Sequence, residues 1–254
     1  MKFNDIGIII SQKKYSENSA IVKVFSQNHG IYRGFVSGAF SRRNQTIFQI
    51  GNLISFEWKS RIEDSLGGFY YVDLEKSFAS KIMFERLKLN CLTSLFSIID
   101  SCFLEREAYP ELFLRVIEFL QKISSEDSQK SDFLQDYIKI ELKILKTLGY
   151  GIDLSCCAVT ESVENLAYVS PRSARAVSRD AAISYENKLL KLPQFLLPKD
   201  SQENFLSENE NHIFDGLKLS GYFLEKFVFS QNNSRPKSRK SIEDEAIKAF
   251  AISN

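Results

Sequence analysis

Hydrophobic and polar residues alternate with a period of two through about the first 75 residues, which is the pattern of half-buried β-strands. In the fourth such stretch, Ile54, Phe56 and Trp58 fall on one face. Turns rich in Gly, Asn, Ser or charged residues separate the stretches. The predicted strands are Ile6–Lys13, Ser19–Phe25, Ile31–Gly38, Asn52–Lys59 and Gly67–Glu75. Five short strands so close together predict a small antiparallel barrel.

After Ser77 the apolar residues recur at the spacing of an α-helix. Pro110 suits the first turn of a helix, where its missing N–H costs nothing. The hydroxyl of Ser131 can cap another helix, which we expect to end at Gly149 in the left-handed conformation. The predicted helices are Lys81–Leu104, Glu111–Ile123, residues 131–149 and Leu217–Phe229.

Residues 152–200 have a weaker period and interrupt the helical pattern, so we expect a loop or hairpin module there. Residues 199–211 are polar and are expected to be exposed. Among five-stranded barrels, the oligonucleotide-binding (OB) fold is the commonest nucleic-acid-binding form. The sequence therefore predicts an α+β protein with an OB-fold barrel in residues 1–78 and a helical domain in residues 79–254 that carries the module.

The composition is that of a folded protein. Of 254 residues 44% are apolar, and 33 basic residues stand against 32 acidic ones, so enough apolar surface is available for a core. No apolar run approaches the roughly 18 residues of a membrane span. The carboxylate of Asp5 stands where the apolar region of a signal peptide would begin, which argues against such a peptide. Four cysteines are too few for a disulfide scaffold. We therefore expect a cytoplasmic protein.

Basic residues are concentrated near the amino end, where residues 1–43 hold seven Lys or Arg and two Asp or Glu. A patch of this sign attracts phosphates. Aromatic residues interleave with its cations, namely Tyr32, Phe35 and Phe40 with Arg33, Arg42 and Arg43. Bases stack on aromatic rings while guanidinium groups neutralise phosphates. The same residues also fit a plain barrel with aromatic side chains in the core and solvated charges outside.

Signatures of catalysis are missing from the sequence. The chain has only two histidines, His29 and His212, so a His-x-x-x-His metal pair is excluded. Ser37 lacks the surroundings of a catalytic nucleophile. No Gly-Lys pair occurs, which excludes a Walker phosphate loop, and no glycine-rich dinucleotide motif follows a predicted strand. We expect neither enzymatic activity nor a cofactor.

The adjacent thiols Cys156 and Cys157 are the only candidates for a metal site. Thiolates are strong zinc ligands, but no Cys-x-x-Cys pair exists and the nearest other cysteine is Cys102. Two ordinary thiols in a short turn explain the pair better, so we expect no bound metal.

The order of several short motifs resembles the RecO family of bacterial recombination mediators. The amino-terminal motifs are Tyr15-Ser16-Glu17-Asn18-Ser19, Val24-Phe25-Ser26, Gly30, Val36-Ser37-Gly38-Ala39, Arg42-Arg43, and Gln49 in the next strand. The later motifs are Ile140-Glu141-Leu142-Lys143-Ile144-Leu145, Leu148-Gly149-Tyr150-Gly151, Leu166-Ala167-Tyr168-Val169-Ser170-Pro171-Arg172-Ser173 and Lys237-Ser238-Arg239. Each motif is short, but together they cover nearly the whole chain.

The resemblance implies an OB-fold barrel followed by a helical domain, without covalent catalysis. It also implies a role in DNA repair, recombination and the response to DNA damage. The expected activities are binding of single- and double-stranded DNA, strand annealing, and loading of RecA onto DNA coated by single-strand-binding protein, with RecR as partner.

The chain departs from the family at two places. Some members carry a four-cysteine zinc site after the Gly-Tyr-Gly turn, and here only Cys157 matches a ligand, while Thr160, Ser178 and Ala181 stand near the other positions. We therefore expect the zinc site to be lost. The proline that commonly follows the glutamine of the fourth strand is Ile50 here.

Given this resemblance, the basic and aromatic residues become candidate DNA contacts. The expected phosphate contacts are Lys14, Arg33, Arg42, Arg43, Lys237, Arg239 and Lys240. Tyr32 and Phe35 are the expected stacking platforms. Such a surface brings two strands together by offsetting their repulsion and releasing counterions, which needs no nucleotide hydrolysis.

A partner site is expected on the helix from Phe133 to Leu148. The resemblance implies that the acidic tail of single-strand-binding protein, with its apolar end and free carboxylate, docks beside a cation and an apolar groove. Lys139 is the candidate cation, and Lys143 lies one turn further. Both lysines equally fit the solvated face of an amphipathic helix.

A different class of function also fits the sequence. The barrel is then an adaptor that binds partner proteins and reaches DNA only indirectly. Direct phosphate contacts give a steep salt dependence of DNA binding, and an adaptor gives none.

Overall fold

The computed structural model is a mixed α+β protein with strands at the amino end and mainly helices beyond them, as the hydrophobic periods predict. It describes residues 1–62, 65–198, 211–230 and 236–251. The chain forms two compact units, Met1–Ser128 and Gln129–Asn254. The sequence-based boundary at residue 78 marks the change from strands to helices, and whether residues 1–78 fold alone stays a prediction. None of the helices in the described ranges is long and apolar enough to cross a membrane.

Five strands form a closed barrel in the first unit. They are β1 (Lys2–Lys14), β2 (Ser19–Ser26), β3 (Gly30–Ser37), β4 (Leu53–Lys59) and β5 (Gly67–Lys76). Neighbours pair in the order β1-β2-β3-β5-β4, and β4 pairs back with β1. The pairing of β3 with β5 is parallel and the others are antiparallel, so the fully antiparallel barrel that we expected is wrong at this one junction. Gln49 precedes β4 instead of lying within it.

The barrel interior is filled by alternate residues of the strands, which is why the period-two pattern located them. Trp58 is fully buried, and its Nε1 donates a hydrogen bond to the carbonyl oxygen of Arg33 at 3.1 Å. The interior side chains are Ile9, Ala20, Val22, Val24, Tyr32, Val36, Ala39, Phe48, Ile54, Phe56, Trp58 and Phe69.

Helices complete the first unit. They are α1 (Asn44–Ile47), α2 (Ala79–Ile82), α3 (Arg86–Cys102) and α4 (Pro110–Ile123). The single helix that we predicted over Lys81–Leu104 is divided, because Glu85 takes an extended backbone conformation between α2 and α3. Pro110 opens α4 as predicted. Phe113 of α4 packs edge-on against Phe25 of β2, with ring centroids 5.6 Å apart.

The second unit is mainly helical. Its helices are α5 (Lys130–Thr147), α6 (Arg179–Ala182), α7 (Asn211–Leu224) and α8 (Lys237–Ala251), and a π-helical turn, Glu225–Phe229, follows α7. The predicted Ser131 cap is wrong: α5 begins one residue earlier, and the Ser131 hydroxyl donates to the Asp132 carboxylate instead. Gly149 ends the helix with φ +87°, as predicted, and the N–H of Tyr150 closes the turn on the carbonyl oxygen of Leu145.

The module predicted at residues 152–200 contains a small antiparallel sheet. Its strands are β6 (Leu166–Val169), β7 (Ala176–Ser178) and β8 (Leu190–Lys191), in the order β7-β6-β8. The stretch 199–211 that we expected to be exposed lies outside the described residues, except for Asn211 at the start of α7.

Candidate nucleic-acid interface

Strand β3 separates the candidate residues of the barrel into two sets. Because successive side chains of a strand point to opposite faces, Arg33 and Phe35 point outward while Tyr32 points into the core. Phe35 has 36% of its surface exposed. The outer face of β3 therefore presents one cation and one aromatic ring to solvent.

Tyr32 is not a stacking platform, contrary to our expectation. It is 4% exposed, and its ring packs edge-on against Phe3 and Trp58 with centroids 4.8 Å away in each case. Burial raises the pKa of the Tyr32 hydroxyl, and the nearby Arg106 guanidinium opposes this shift. A base cannot reach this ring without opening the barrel.

An exposed aromatic pair lies where β1 turns into β2. Tyr15, 67% exposed, meets the Phe35 ring edge-on at a centroid distance of 5.7 Å. The turn is tight, because the N–H groups of Tyr15 and Ser16 both donate to the carbonyl oxygen of Ser19. Tyr15 was not among the candidate DNA contacts; the signal for it in the sequence is an aromatic residue within a polar turn, since binding residues are common in loops.

Basic residues lie at the end of β1 and in the loop that follows β3. The Nζ of Lys14, next to Tyr15, lies 6.0 Å from the Phe40 ring centroid. Arg42 and Arg43 are exposed in the loop between β3 and α1. Asn44 supports that loop by donating from its side-chain amide to the carbonyl oxygen of Gly38 at 3.0 Å. Exposed cations near aromatic rings are an arrangement with which proteins bind single-stranded nucleic acids.

In the middle of the β2–β3 face, the basic side chains are paired with acidic ones. Lys23 and Arg33 stand opposite each other in the strand pairing. The Nζ of Lys23 lies 2.5 Å from an Asp100 carboxylate oxygen, and the Nε of Arg33 lies 3.3 Å from one of Glu105. These acids belong to the end of α3 and the segment after it, and they cancel cations that a charge count along the sequence leaves unbalanced.

Arg239 does not contact phosphate, contrary to our expectation, because its side chain is completely buried. Its guanidinium forms a bidentate pair with Glu141 of α5, at 2.6 and 3.1 Å, and an ion pair with Glu243 at 2.7 Å. It also donates to the carbonyl oxygen of Leu217 at 2.8 Å. Removing one partner of a buried ion pair leaves an uncompensated charge and lowers the free energy of unfolding by about 3–5 kcal/mol. These contacts of Arg239 therefore fasten α8 to α5 and α7.

The other lysines of the carboxyl-terminal basic run are differently placed. Lys237 and Lys240 are exposed at the start of α8. One turn of helix therefore presents two cations to solvent while it buries a third between them.

The partner candidates on α5 are half-buried. The Nζ of Lys139 lies 5.7 Å from the ring centroid of Phe195, within the range of a cation–π contact. Lys143 follows one turn later on the same helix. An ammonium group thus lies directly beside an aromatic surface at Lys139.

The residues near Cys157 do not fit a zinc ion. Its buried sulfur accepts hydrogen bonds from the N–H groups of Val159 and Ser178, at 3.5 and 3.3 Å. Burial raises the pKa of the Cys157 thiol, but hydrogen bonds from Ser178 and Thr160 outweigh it and bring the pKa to about 6. The two neutral hydroxyl side chains and the methyl group of Ala181 cannot replace three thiolates around zinc. Within the described ranges, no group of three or more His, Cys, Asp and Glu is placed to hold a metal.

His29 contacts two residues of β1, and these contacts have a structural role. Its Nδ1 lies 2.7 Å from an Asp5 carboxylate oxygen, and its ring stacks on Phe3 at a centroid distance of 3.9 Å. Burial raises the pKa of Asp5, yet hydrogen bonds from His29, Asn28 and the Ile6 N–H outweigh it and lower that pKa overall. The imidazole holds the turn between β2 and β3 against β1.

Fold and site define a class of α+β proteins in which a five-stranded barrel with an exposed cationic and aromatic surface precedes a largely helical part. Residues 1–78 match the family model Recombination protein O N terminal, and residues 83–236 match Recombination protein O C terminal. The chain belongs to the RecO family of DNA repair proteins, which act in repair and recombination.

Individual relatives agree with this assignment over almost their whole length. The DNA repair protein RecO of Rickettsia peacockii (strain Rustic) is 36% identical over 250 residues, which are 98% of this chain and 100% of that protein. The DNA repair protein RecO of Rickettsia typhi (strain ATCC VR-144 / Wilmington) is 37% identical over 240 residues, covering 94% and 96% of the two chains.

Proposed function

We propose that this protein is a non-enzymatic recombination mediator that binds single- and double-stranded DNA directly through its barrel. In this role it anneals strands and, together with RecR, helps to load RecA onto DNA coated by single-strand-binding protein. The activity and the partners follow from the resemblance to the family, and the barrel surface supports the DNA contact. The site of action is the cytoplasm.

One observation supports the DNA contact, namely that exposed aromatic rings and exposed cations occur together at the β1–β2 turn, on β3 and in the loop after it. Phe35 packs edge-on against Tyr15, the Nζ of the preceding residue Lys14 lies 6.0 Å from the centroid of the half-buried Phe40 ring, and the exposed loop residues Arg42 and Arg43 follow Phe40 in the chain. Rings bind bases by stacking and cations bind phosphates, and neither requires a particular base sequence. A mediator that serves any damaged site needs this lack of sequence preference.

The barrel topology supports an OB fold. A closed five-stranded barrel with the order β1-β2-β3-β5-β4 has the β2–β3 face and the β1–β2 loop next to each other. In OB folds this face and this loop bind oligonucleotides. Phe35 lies on the proposed binding face and Tyr15 in the proposed binding loop. Lys237 and Lys240 of the second unit are proposed as additional phosphate contacts.

The DNA contact is tested by fluorescence anisotropy with a labelled oligothymidylate at several salt concentrations. Replacing Arg42 and Arg43 with Ala is expected to weaken binding and to flatten the plot of log K against log salt by about 0.7 per lost single-strand phosphate contact. Exposed loop charges contribute little to stability, so the thermal unfolding temperature is expected to change little.

The matched control replaces Lys81 and Lys122, two exposed cations of α2 and α4, with Ala and makes the same change in net charge. An equal effect in both double variants indicates net charge alone and contradicts the proposed contact. Binding of the wild-type protein that shows no salt dependence favours the adaptor, whose barrel binds proteins and meets DNA indirectly.

A further inference from the structure

Two cations at the centre of the proposed binding face are paired with acids from outside the barrel. Lys23 of β2 lies opposite Arg33 of β3, and both point outward. Lys23 pairs with Asp100 at 2.5 Å and with Glu105 at 3.9 Å, and Arg33 pairs with Glu105 at 3.3 Å. Two carboxylates thus face two cations at the place where an oligonucleotide backbone is expected.

The backbone holds Glu105 in this position. Glu105 forms an isolated parallel bridge with Ile31 at the start of β3, and the N–H of Arg106 donates to the Ile31 carbonyl oxygen at 2.9 Å. Gly30 permits this close approach: its φ is +82°, and a Cβ there would lie 1.9 Å from the carbonyl oxygen of Glu107. The acidic segment therefore has a defined place beside the cations.

These ion pairs can exchange for other partners. All four side chains keep between a quarter and about half of their surface exposed, and partly exposed ion pairs contribute little to stability. Carboxylate and phosphate oxygens offer a guanidinium group the same hydrogen-bonding geometry. A phosphodiester can therefore take the place of each carboxylate without a change in the barrel.

We propose that Lys23 and Arg33 form a further phosphate-binding site, which Asp100 and Glu105 occupy in the free protein and which a nucleic acid backbone takes over on binding. This inference rests on the proposed DNA contact and deepens it. Each phosphate then replaces an internal anion, so Asp100 and Glu105 lower both the affinity for DNA and its salt dependence. Transfer of DNA between proteins is easier when the mediator binds it less tightly.

The test replaces Asp100 with Asn and Glu105 with Gln, which keeps the shapes of the side chains and removes their charges. Binding of a labelled oligothymidylate is expected to become about fivefold to tenfold tighter. The slope of log K against log salt is expected to become steeper by up to about 0.7 for each phosphate contact that no longer has to displace a carboxylate. A Lys23→Gln substitution added to this double variant is expected to remove a large part of the gain.

The matched control is Glu126→Gln with Asp127→Asn, two exposed acids of the same unit that follow α4 and give the same change in net charge. An equal gain in the control, or no gain at either pair, overturns the inference and shows that the ion pairs only fasten α3 to the barrel. If the double variant fails to fold, Glu105→Gln alone and Lys23→Gln alone are measured, and unchanged DNA affinity in both overturns it. Absence of DNA binding in the wild type and in every variant overturns the proposed function itself.

Discussion

At the scale of single residues, strand parity decides which aromatic ring can meet a base. Tyr32 and Phe35 are three positions apart on β3, so they necessarily point to opposite faces. The Tyr32 ring lies in the core, where it packs edge-on against the rings of Phe3 and Trp58. Phe35 is left outside, where it contacts Tyr15. The exposed pair replaces Tyr32 as the proposed stacking site.

We predict that the Tyr15→Ala and Phe35→Ala variants bind single-stranded DNA about tenfold less tightly each, because stacking contributes about 1–3 kcal/mol per base. Duplex DNA, whose bases are already stacked on each other, is expected to lose less affinity. Competition titrations with the two DNA forms measure the difference. Tyr71→Ala, at a third exposed ring of the barrel, is the control. Equal losses on single strands and duplex contradict a stacking role.

At the scale of elements, α5 has two chemically different faces. One face buries Glu141, which holds Arg239, and the other carries Lys139 and Lys143, which are half-buried. The contact of Lys139 with the Phe195 ring provides the cation and the apolar surface that a carboxylate-ended apolar tail requires.

We predict that Lys139→Glu weakens binding of a peptide with the acidic tail of single-strand-binding protein, because it turns attraction of the terminal carboxylate into repulsion. Affinity for bare DNA is expected to be unchanged. Isothermal calorimetry with the peptide and anisotropy with DNA separate the two activities. Lys146→Glu, at an exposed position of the same helix, is the charge-matched control. A loss of DNA binding alone, or of both activities together, shows that α5 is not the tail receptor.

In the second unit, hydrogen bonds to the Cys157 thiol, one of them from Ser178 at the end of β7, couple stability to pH. The folded-state pKa of about 6 lies below the ordinary value of 9.0, so the unfolded chain binds more protons between these values. The stabilisation is complete above about pH 9 and is lost as the pH falls through 6.

We therefore predict that the thermal unfolding temperature of the wild type rises more between pH 6 and pH 9 than that of Cys157→Ser, which has no thiol at this position. Cys156→Ser, at the neighbouring half-buried thiol, is expected to keep the wild-type trend. Calorimetric melts across this pH range provide the measurement. Parallel pH profiles for wild type and Cys157→Ser contradict a thiolate at this position.

At the scale of the whole molecule, the compact units do not coincide with the change of secondary structure. The barrel ends near residue 78, but Phe113 covers Phe25, and the segment Glu105–Arg106 covers the start of β3. An uncovered strand edge is prone to pair with other chains. The first unit accordingly extends to Ser128.

We predict that a fragment of residues 1–128 unfolds cooperatively, whereas residues 1–78 are much less stable or aggregate. Exposure of Phe25 alone costs about 1.5–3 kcal/mol, which is a large share of the stability of a small domain. Circular dichroism melts and sedimentation of the two fragments decide the question. An equally stable, monomeric 1–78 fragment indicates that the barrel is a domain by itself.

The sequence alone determined the five barrel strands, the helices α4 and α5, and their order along the chain. Period-two alternation located all five strands, and Pro110 and Gly149 marked helix ends, because each signal depends on local backbone geometry. The family was also readable, since it depends on the order of short motifs. The break between α2 and α3 left no trace, because neither Gly nor Pro stands there.

The tertiary structure decided which candidate side chains can meet DNA. Arg239 and Lys237 look alike in a basic run, yet one is buried against Glu141, 98 residues away, and the other is exposed. Lys23 meets Asp100 over a separation of 77 residues. Charge and burial depend on what the fold brings within a few ångströms of a side chain, and no local pattern in the chain encodes those distances.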